Sequence, residues 1–200
     1  MKLAYADPPY IGQARKHYGV LAKEVNHRVL IGTLMDYDGW ALSLSSPSLE
    51  EILHLCRDVL GPNQVRVGMW GKSFCSFKPG VNPAYTFEPV IFWGGRKRGR
   101  EVPTLRDYLI CPMTTKRGTS GAKPDAFNRW VFEFLGALPE DTLDDLFPGS
   151  GAVTASWEAF RCAPGFALAS GDDERLVRVA KGVVRASYFD GLGSLGGHPQ

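Results

Sequence analysis

Short apolar runs alternate with amphipathic stretches along most of this chain, and that alternation admits few solutions other than an α/β layer fold. Leu3–Ala6 reads as a strand that opens almost at the first residue. Trp40–Leu44 and Val65–Trp70 read as the second and third strands, and Tyr85–Trp93 as a long, aromatic-rich fourth. Thr142–Phe147 gives a fifth and Phe166–Ala169 a sixth. Ser46-Pro47-Ser48 caps a helix over Leu49–Leu60, with Glu50 and Glu51 near its positive end and Gly61-Pro62-Asn63 as its stop. Asp125–Leu138 carries Phe127, Trp130, Val131, Phe134 and Leu135 on one helical stripe. A helix follows Gly151 and runs through Phe160, and a last one covers Asp172–Ser187. The pattern predicts one α/β domain over residues 1–190. Its sheet is mostly parallel with helices on both faces, and a Gly-rich tail follows over 191–200. Gly94–Pro124 shows no period and is predicted to be a long irregular connection, a kind of loop that usually carries function.

Bulk composition excludes some classes. Apolar residues make up 44% and charged residues 22% of the 200, an ordinary globular balance that supports one core. A formal net charge of +2 argues neither for nor against a polyanionic partner. Cys56, Cys75, Cys111 and Cys162 are scattered, and His17, His27, His54 and His198 complete no zinc set with them. The expectation is reduced thiols and no metal. Lys2-Leu3-Ala4-Tyr5 holds no secretory apolar region, and no run approaches membrane-spanning length, so a cytoplasmic protein away from membranes is expected. The assembly state stays open, a homodimer included.

Two motifs carry chemistry. The first is Asp7-Pro8-Pro9-Tyr10, directly after the first strand. Two prolines fix φ twice and remove two donors, which frees the Pro8 carbonyl to face a ligand beside the Asp7 carboxylate. Two adjacent acceptors suit an amino group, which has two hydrogens to donate. Holding both hydrogens localises the nitrogen lone pair for in-line attack, with no covalent enzyme intermediate. Tyr10 would stack on the base that bears the amino group. Taken alone, Asp-Pro-Pro is equally a turn that ends a strand.

The second motif is Asp144-Asp145-Leu146-Phe147-Pro148-Gly149-Ser150-Gly151, a strand, a Gly turn and a helix. Its glycines permit close backbone approach, and the helix N-terminus offers free N–H groups to a carboxylate. No Gly-Lys-Ser/Thr follows, so it is not a P-loop. A lone Gly-x-Gly can also be a plain strand-to-helix turn.

The pair resembles the motifs of the amino-group DNA methyltransferases, which methylate adenine N6 or cytosine N4. The order resembles the beta-type arrangement: amino-group motif, recognition region, a helix opened by Lys-Pro (here Lys123-Pro124), then the cofactor motif. The resemblance implies a Rossmann-like methyltransferase fold that uses S-adenosylmethionine, with S-adenosylhomocysteine as product. It implies that Asp7, Pro8, Pro9 and Tyr10 form the catalytic set. Asp145, Phe147, Gly149, Ser150, Gly151 and Lys123 would hold the cofactor, and DNA would present a flipped base. Asp at the head of the tetrapeptide leans towards adenine. Cytosine N4, RNA, and a catalytically silent binding module are the alternatives. Two features depart from the family. The strand expected to end in a ribose-binding acid reads Phe166-Ala167-Leu168-Ala169-Ser170-Gly171, with Asp172 beyond it. A separate recognition domain is absent or reduced to 94–124.

Arg96, Lys97, Arg98, Arg100, Arg106, Lys116 and Arg117 face only Glu101 and Asp107 in this interval. That local surplus suits phosphate contacts, with a solvated loop as the alternative. Arg15 and Lys16, shortly after Tyr10, are further candidates for DNA contact. Trp70, Phe92, Trp93 and Trp130 read as core rather than as stacking platforms.

Overall fold

A computed structural model describes residues 1–11, 24–73, 80–113 and 122–162. In chain order its elements are β1 (Lys2–Ala6), α1 (His27–Leu34), β2 (Gly39–Ser43), a short 3-10 turn (Ser46–Ser48) and α2 (Leu49–Leu60). Then come β3 (Arg66–Lys72), β4 (Phe87–Gly94), β5 (Tyr108–Cys111), α3 (Asp125–Phe134), β6 (Thr142–Asp145) and α4 (Ala152–Cys162).

The six strands form one sheet in the order β5-β3-β4-β2-β1-β6. β1 pairs in parallel with β2 and β6, and β3 in parallel with β5. β4 runs antiparallel to both β2 and β3, so the other five strands share one direction. The sheet therefore has a carboxyl edge, where five strands end, and an amino edge, where they begin. β1 and β6 are neighbours, which puts Asp7 and the turn after Asp145 side by side at the carboxyl edge.

Helices cover both faces. On one, α3 and α4 bring Phe127, Trp130, Phe132, Trp157 and Phe160 onto Leu3, Tyr5 and Phe92. On the other, α1 and α2 pack Leu30, Ile31, Leu34, Ile52 and Cys56 against Ala4, Trp40, Leu42 and Ile91. Trp70, Phe92 and Trp130 are buried as expected, and Trp93 stacks on Trp40. Alternate residues of each central strand thus feed two separate cores, which is why these strands read as near-continuous apolar runs.

The structure corrects the sequence reading in three places. Residues 94–124 are not wholly irregular: Tyr108–Cys111 forms β5, bonded only to β3. Four residues are too few to show a period. Helix α1 was not anticipated, although Asn26 caps it by accepting from the Val29 N–H at 3.1 Å and its buried His27, Leu30, Ile31 and Leu34 fall on one stripe. β6 ends at Asp145 rather than Phe147, and only the Leu146 N–H continues the pairing, to the Tyr5 carbonyl at 2.9 Å. The expected strand Phe166–Ala169, the helix Asp172–Ser187 and the tail lie outside the described residues.

Candidate active site

Asp7 follows the last residue of β1. Tyr5, two residues earlier, is buried and shares a 2.8 Å hydrogen bond with Ser43 Oγ on β2, which fixes the strand end beneath the tetrapeptide. Lys123 reaches Asp7 from the start of α3. Pro124 caps that helix in an extended conformation, and its carbonyl accepts from the N–H groups of Phe127 and Asn128 at 3.0 and 3.1 Å. The Lys123 side chain is 7% exposed. Its ammonium lies 3.1 Å from Asp7 Oδ2 and 2.9 Å from Glu88 Oε2, over the rings of Trp70 and Phe127. Glu88, on β4, also pairs with Lys72 through its other oxygen. Four charges of alternating sign, Lys72, Glu88, Lys123 and Asp7, therefore run along the carboxyl edge.

Burial and charge pull these groups in different directions. Burial raises the Asp7 carboxyl above the usual carboxylate range, although Lys123 opposes the rise. Burial would raise Glu88 as well, but Lys123 and Lys72 outweigh it and hold Glu88 low. Burial disfavours charge on Lys123, yet Asp7, Tyr5 and Glu88 keep its ammonium well above the ordinary value. Tyr10 is pushed up by burial, which Lys123 opposes and the negative charges of Glu88 and Asp7 reinforce. Asp7 is thus a carboxylate whose charge is costly and whose close cation, Lys123, sits on one oxygen. Such a group has acceptor capacity to spare.

The second motif closes the other wall. Gly149 and Gly151 have φ of +46° and +74°, in the left-handed region that glycine adopts without strain. A side chain added at Gly151 would meet open space, and one at Gly149 only the Phe147 carbonyl at 3.7 Å, so the turn faces a gap rather than packed atoms. Helix α4 starts at Ala152, and the first N–H groups of a helix have no partner within it. Below the turn, Asp145 Oδ1 accepts from the Phe147 N–H at 3.3 Å, while its buried Oδ2 has no partner among the described residues. Burial raises the Asp145 carboxyl, and the nearby Asp7 charge raises it further.

One small cavity of about 40 Å³ joins the two motifs, with Asp7, Lys123, Phe147, Gly149 and Ser150 on its walls. Of the predicted residues, Asp7, Lys123, Phe147, Gly149 and Ser150 therefore meet in one cavity, while Pro8, Pro9, Tyr10, Asp145 and Gly151 are not in its lining. Glu88, Lys72 and Tyr5 were not picked out from the sequence. The signal for Glu88 was present: it is the one acid inside an otherwise apolar, aromatic strand.

The described residues of the basic interval, 96–107, do not join this cleft. Because β4 is antiparallel, its end at Gly94 pairs with the start of β2, at the amino edge. Arg96 is spent there on Asp141, with contacts of 2.8 and 3.1 Å. Arg98 donates to the carbonyls of Glu133 and Pro103. Lys97 and Arg100 follow in the same stretch. A five-residue strand separates this edge from Asp7 by roughly 16 Å. Arg15, Lys16, Lys116 and Arg117 lie outside the described residues. Among those residues no group of His, Cys, Asp and Glu could hold a metal, and no helix is long and apolar enough to cross a membrane.

No protein-family model and no curated protein matches the chain. Solved structures do match. PvuII DNA methyltransferase, described as cytosine-N4-specific, superposes with a TM-score of 0.57 at 13% identity, over 92% of this chain and 86% of that one. M1.HpyAVI in complex with SAM gives 0.52 at 13%, over 80% and 78%. M1.HpyAVI alone gives 0.51 at 16%, over 80% and 77%. This is the Rossmann-like methyltransferase fold. At these identities the likeness is one of architecture, and the chemistry must come from the cleft itself.

Proposed function

We propose that this protein transfers the methyl group of S-adenosylmethionine to the exocyclic amino group of a base in DNA, with adenine N6 favoured. The observation that carries the reading is the shared cleft: Asp7 on one wall and the Phe147–Ser150 turn on the other, with Lys123 between them. The turn fits the cofactor in kind. It offers open space above two glycines, the N-terminus of α4 for a carboxylate, and in Asp145 a buried oxygen without a partner among the described residues. Asp145, Phe147, Gly149, Ser150 and Gly151 would hold the cofactor, which supplies an activated methyl group on a sulfonium.

The rest of the chemistry belongs to the chain's own residues. Asp7 and the Pro8 carbonyl accept the two amino hydrogens and localise the nitrogen lone pair. Tyr10 stacks on the flipped base. The developing positive charge on nitrogen falls beside a carboxylate whose ionisation is costly in the buried cleft, so the interaction strengthens as the reaction proceeds. Lys123 fixes the unused oxygen of Asp7. Phosphate contacts close to the base fall to Arg15, Lys16, Lys116 and Arg117, which lie within a few residues of Tyr10 and Lys123 in sequence.

Cytosine N4 is the second reading, favoured by the fold shared with a cytosine-N4-specific enzyme. Nucleoside mass spectrometry after incubation of DNA and RNA with the protein and cofactor separates the cases. N6-methyladenine in DNA supports the first reading, and N4-methylcytosine replaces it with the second. Modification of RNA alone overturns the assignment to DNA.

A further inference from the structure

Glu88 has no part in the chemistry above, yet it ties together more of the carboxyl edge than any residue of the two motifs. It sits on β4 opposite Trp70 and is 13% exposed. One oxygen accepts from Lys72 and the other from Lys123 at 2.9 Å. Each oxygen of the carboxylate thus has its own ammonium partner, and Lys123 continues to Asp7 at the head of the tetrapeptide.

The placement has a physical logic. A buried lysine at 7% exposure is costly unless paired, and Asp7 alone would draw its ammonium wholly onto the oxygens needed for the amino group. Glu88 shares the ammonium and keeps it on Oδ2.

Resting on the proposed methyl transfer, we infer that Glu88 is a positioning residue: it holds Lys123 on one oxygen of Asp7 and so ties the head of the tetrapeptide to β4. Lys123 contacts Asp7, and the charges of Glu88, Lys72, Tyr5, Tyr10 and Asp145 are coupled to it over longer range. Removing the negative charge of Glu88 relieves the repulsion on Asp7, so its titration midpoint falls. Removing Lys123 takes away its counter-charge, so the midpoint rises.

The test titrates Asp7 by carbon NMR of carboxyl-labelled aspartate, with the signal assigned through Asp7→Asn, and follows single-turnover methylation in the same proteins. Glu88→Gln is expected to lower the Asp7 midpoint, and Lys123→Met to raise it. Glu88→Gln should also slow methyl transfer roughly tenfold or more, with cofactor affinity kept. Lys72→Met probes the chain from its outer end and cuts nothing from Lys123, so it serves if Glu88→Gln does not fold; it should raise the midpoint. A midpoint unmoved by these changes, or an unaltered rate in folded Glu88→Gln, overturns the inference. Midpoints that move as stated in a wild type without methyl transfer would leave the Glu88 linkage standing and remove the proposed function. Transfer with fixed midpoints would do the reverse.

Discussion

Asp7 and Asp141 stand at opposite ends of the same sheet, each beside a cation, and their carboxyls move in opposite directions. Asp141 accepts from the Met1 amine at 2.5 Å, from two nitrogens of Arg96 and from the Leu138 N–H at 2.8 Å. Burial alone would raise it, but these donors hold it down at about 2. Asp7 has Lys123 close by, shared with Glu88, and burial wins. The difference is one of satisfaction. Donors occupy both oxygens of Asp141, so it holds the amino edge together and has nothing left to offer. Asp7 keeps an acceptor in reserve, and that reserve is what a ligand amino group would use.

The comparison can be broken most severely at the cofactor wall. Gly149→Asp forces a side chain onto a φ of +46° and sets a carboxylate where the cofactor's own carboxylate would lie. Calorimetry should show S-adenosylmethionine binding abolished, with the fold retained by circular dichroism. Unchanged affinity would remove the turn from the site.

Stability should then separate the two aspartates by sign. Asp141→Asn strips the buried charge from Arg96 and the Met1 amine and should cost about 3 kcal/mol in urea unfolding. Asp7→Asn should leave Tm unchanged or raise it, because the charged form is the costly one in the fold. The pH dependence follows the same division. The folded carboxyl of Asp141 lies below its unfolded value of about 3.9, so its contribution is complete above that value and disappears as pH falls through about 2. The raised carboxyl of Asp7 works the other way, and its protonation on acidification relieves a cost. Thermal shifts of the same sign in both variants would void the comparison.

The smallest effect is expected at the basic residues of the amino edge that follow Arg96. Lys97→Ser with Arg100→Ser should leave the salt dependence of DNA binding nearly unchanged. If either residue did neutralise a phosphate, its removal would flatten the log–log slope by about one. A drop of two units would bring DNA to the amino edge and contradict the placement of the base beside Asp7.

Much of this was legible in the chain. The helix Leu49–Leu60 followed from its apolar stripe and stop signal, and the stripe expected over Asp125–Leu138 marked a helix that ends earlier, at Phe134, while the juxtaposition of the two motifs comes from the pairing of β1 with β6. What was hidden is long-range. Nothing in the local pattern of residues 96–100 says that the preceding strand runs antiparallel and so carries Arg96 away from Asp7 to Asp141. Lys72 and Glu88 meet through pairing of β3 with β4, and Lys123 joins them from the start of a helix, so their linkage exists only in the folded sheet. β5 was missed because four edge residues leave no period to read.

The most direct test of the account is single-turnover transfer of a labelled methyl group to DNA by wild type and Asp7→Ala, with S-adenosylmethionine affinity measured on both. The expected result is label in the exocyclic amino group with wild type. Asp7→Ala should lose about a hundredfold or more in rate while cofactor affinity stays within several-fold. Near-normal transfer by Asp7→Ala would contradict the role given to the carboxyl edge.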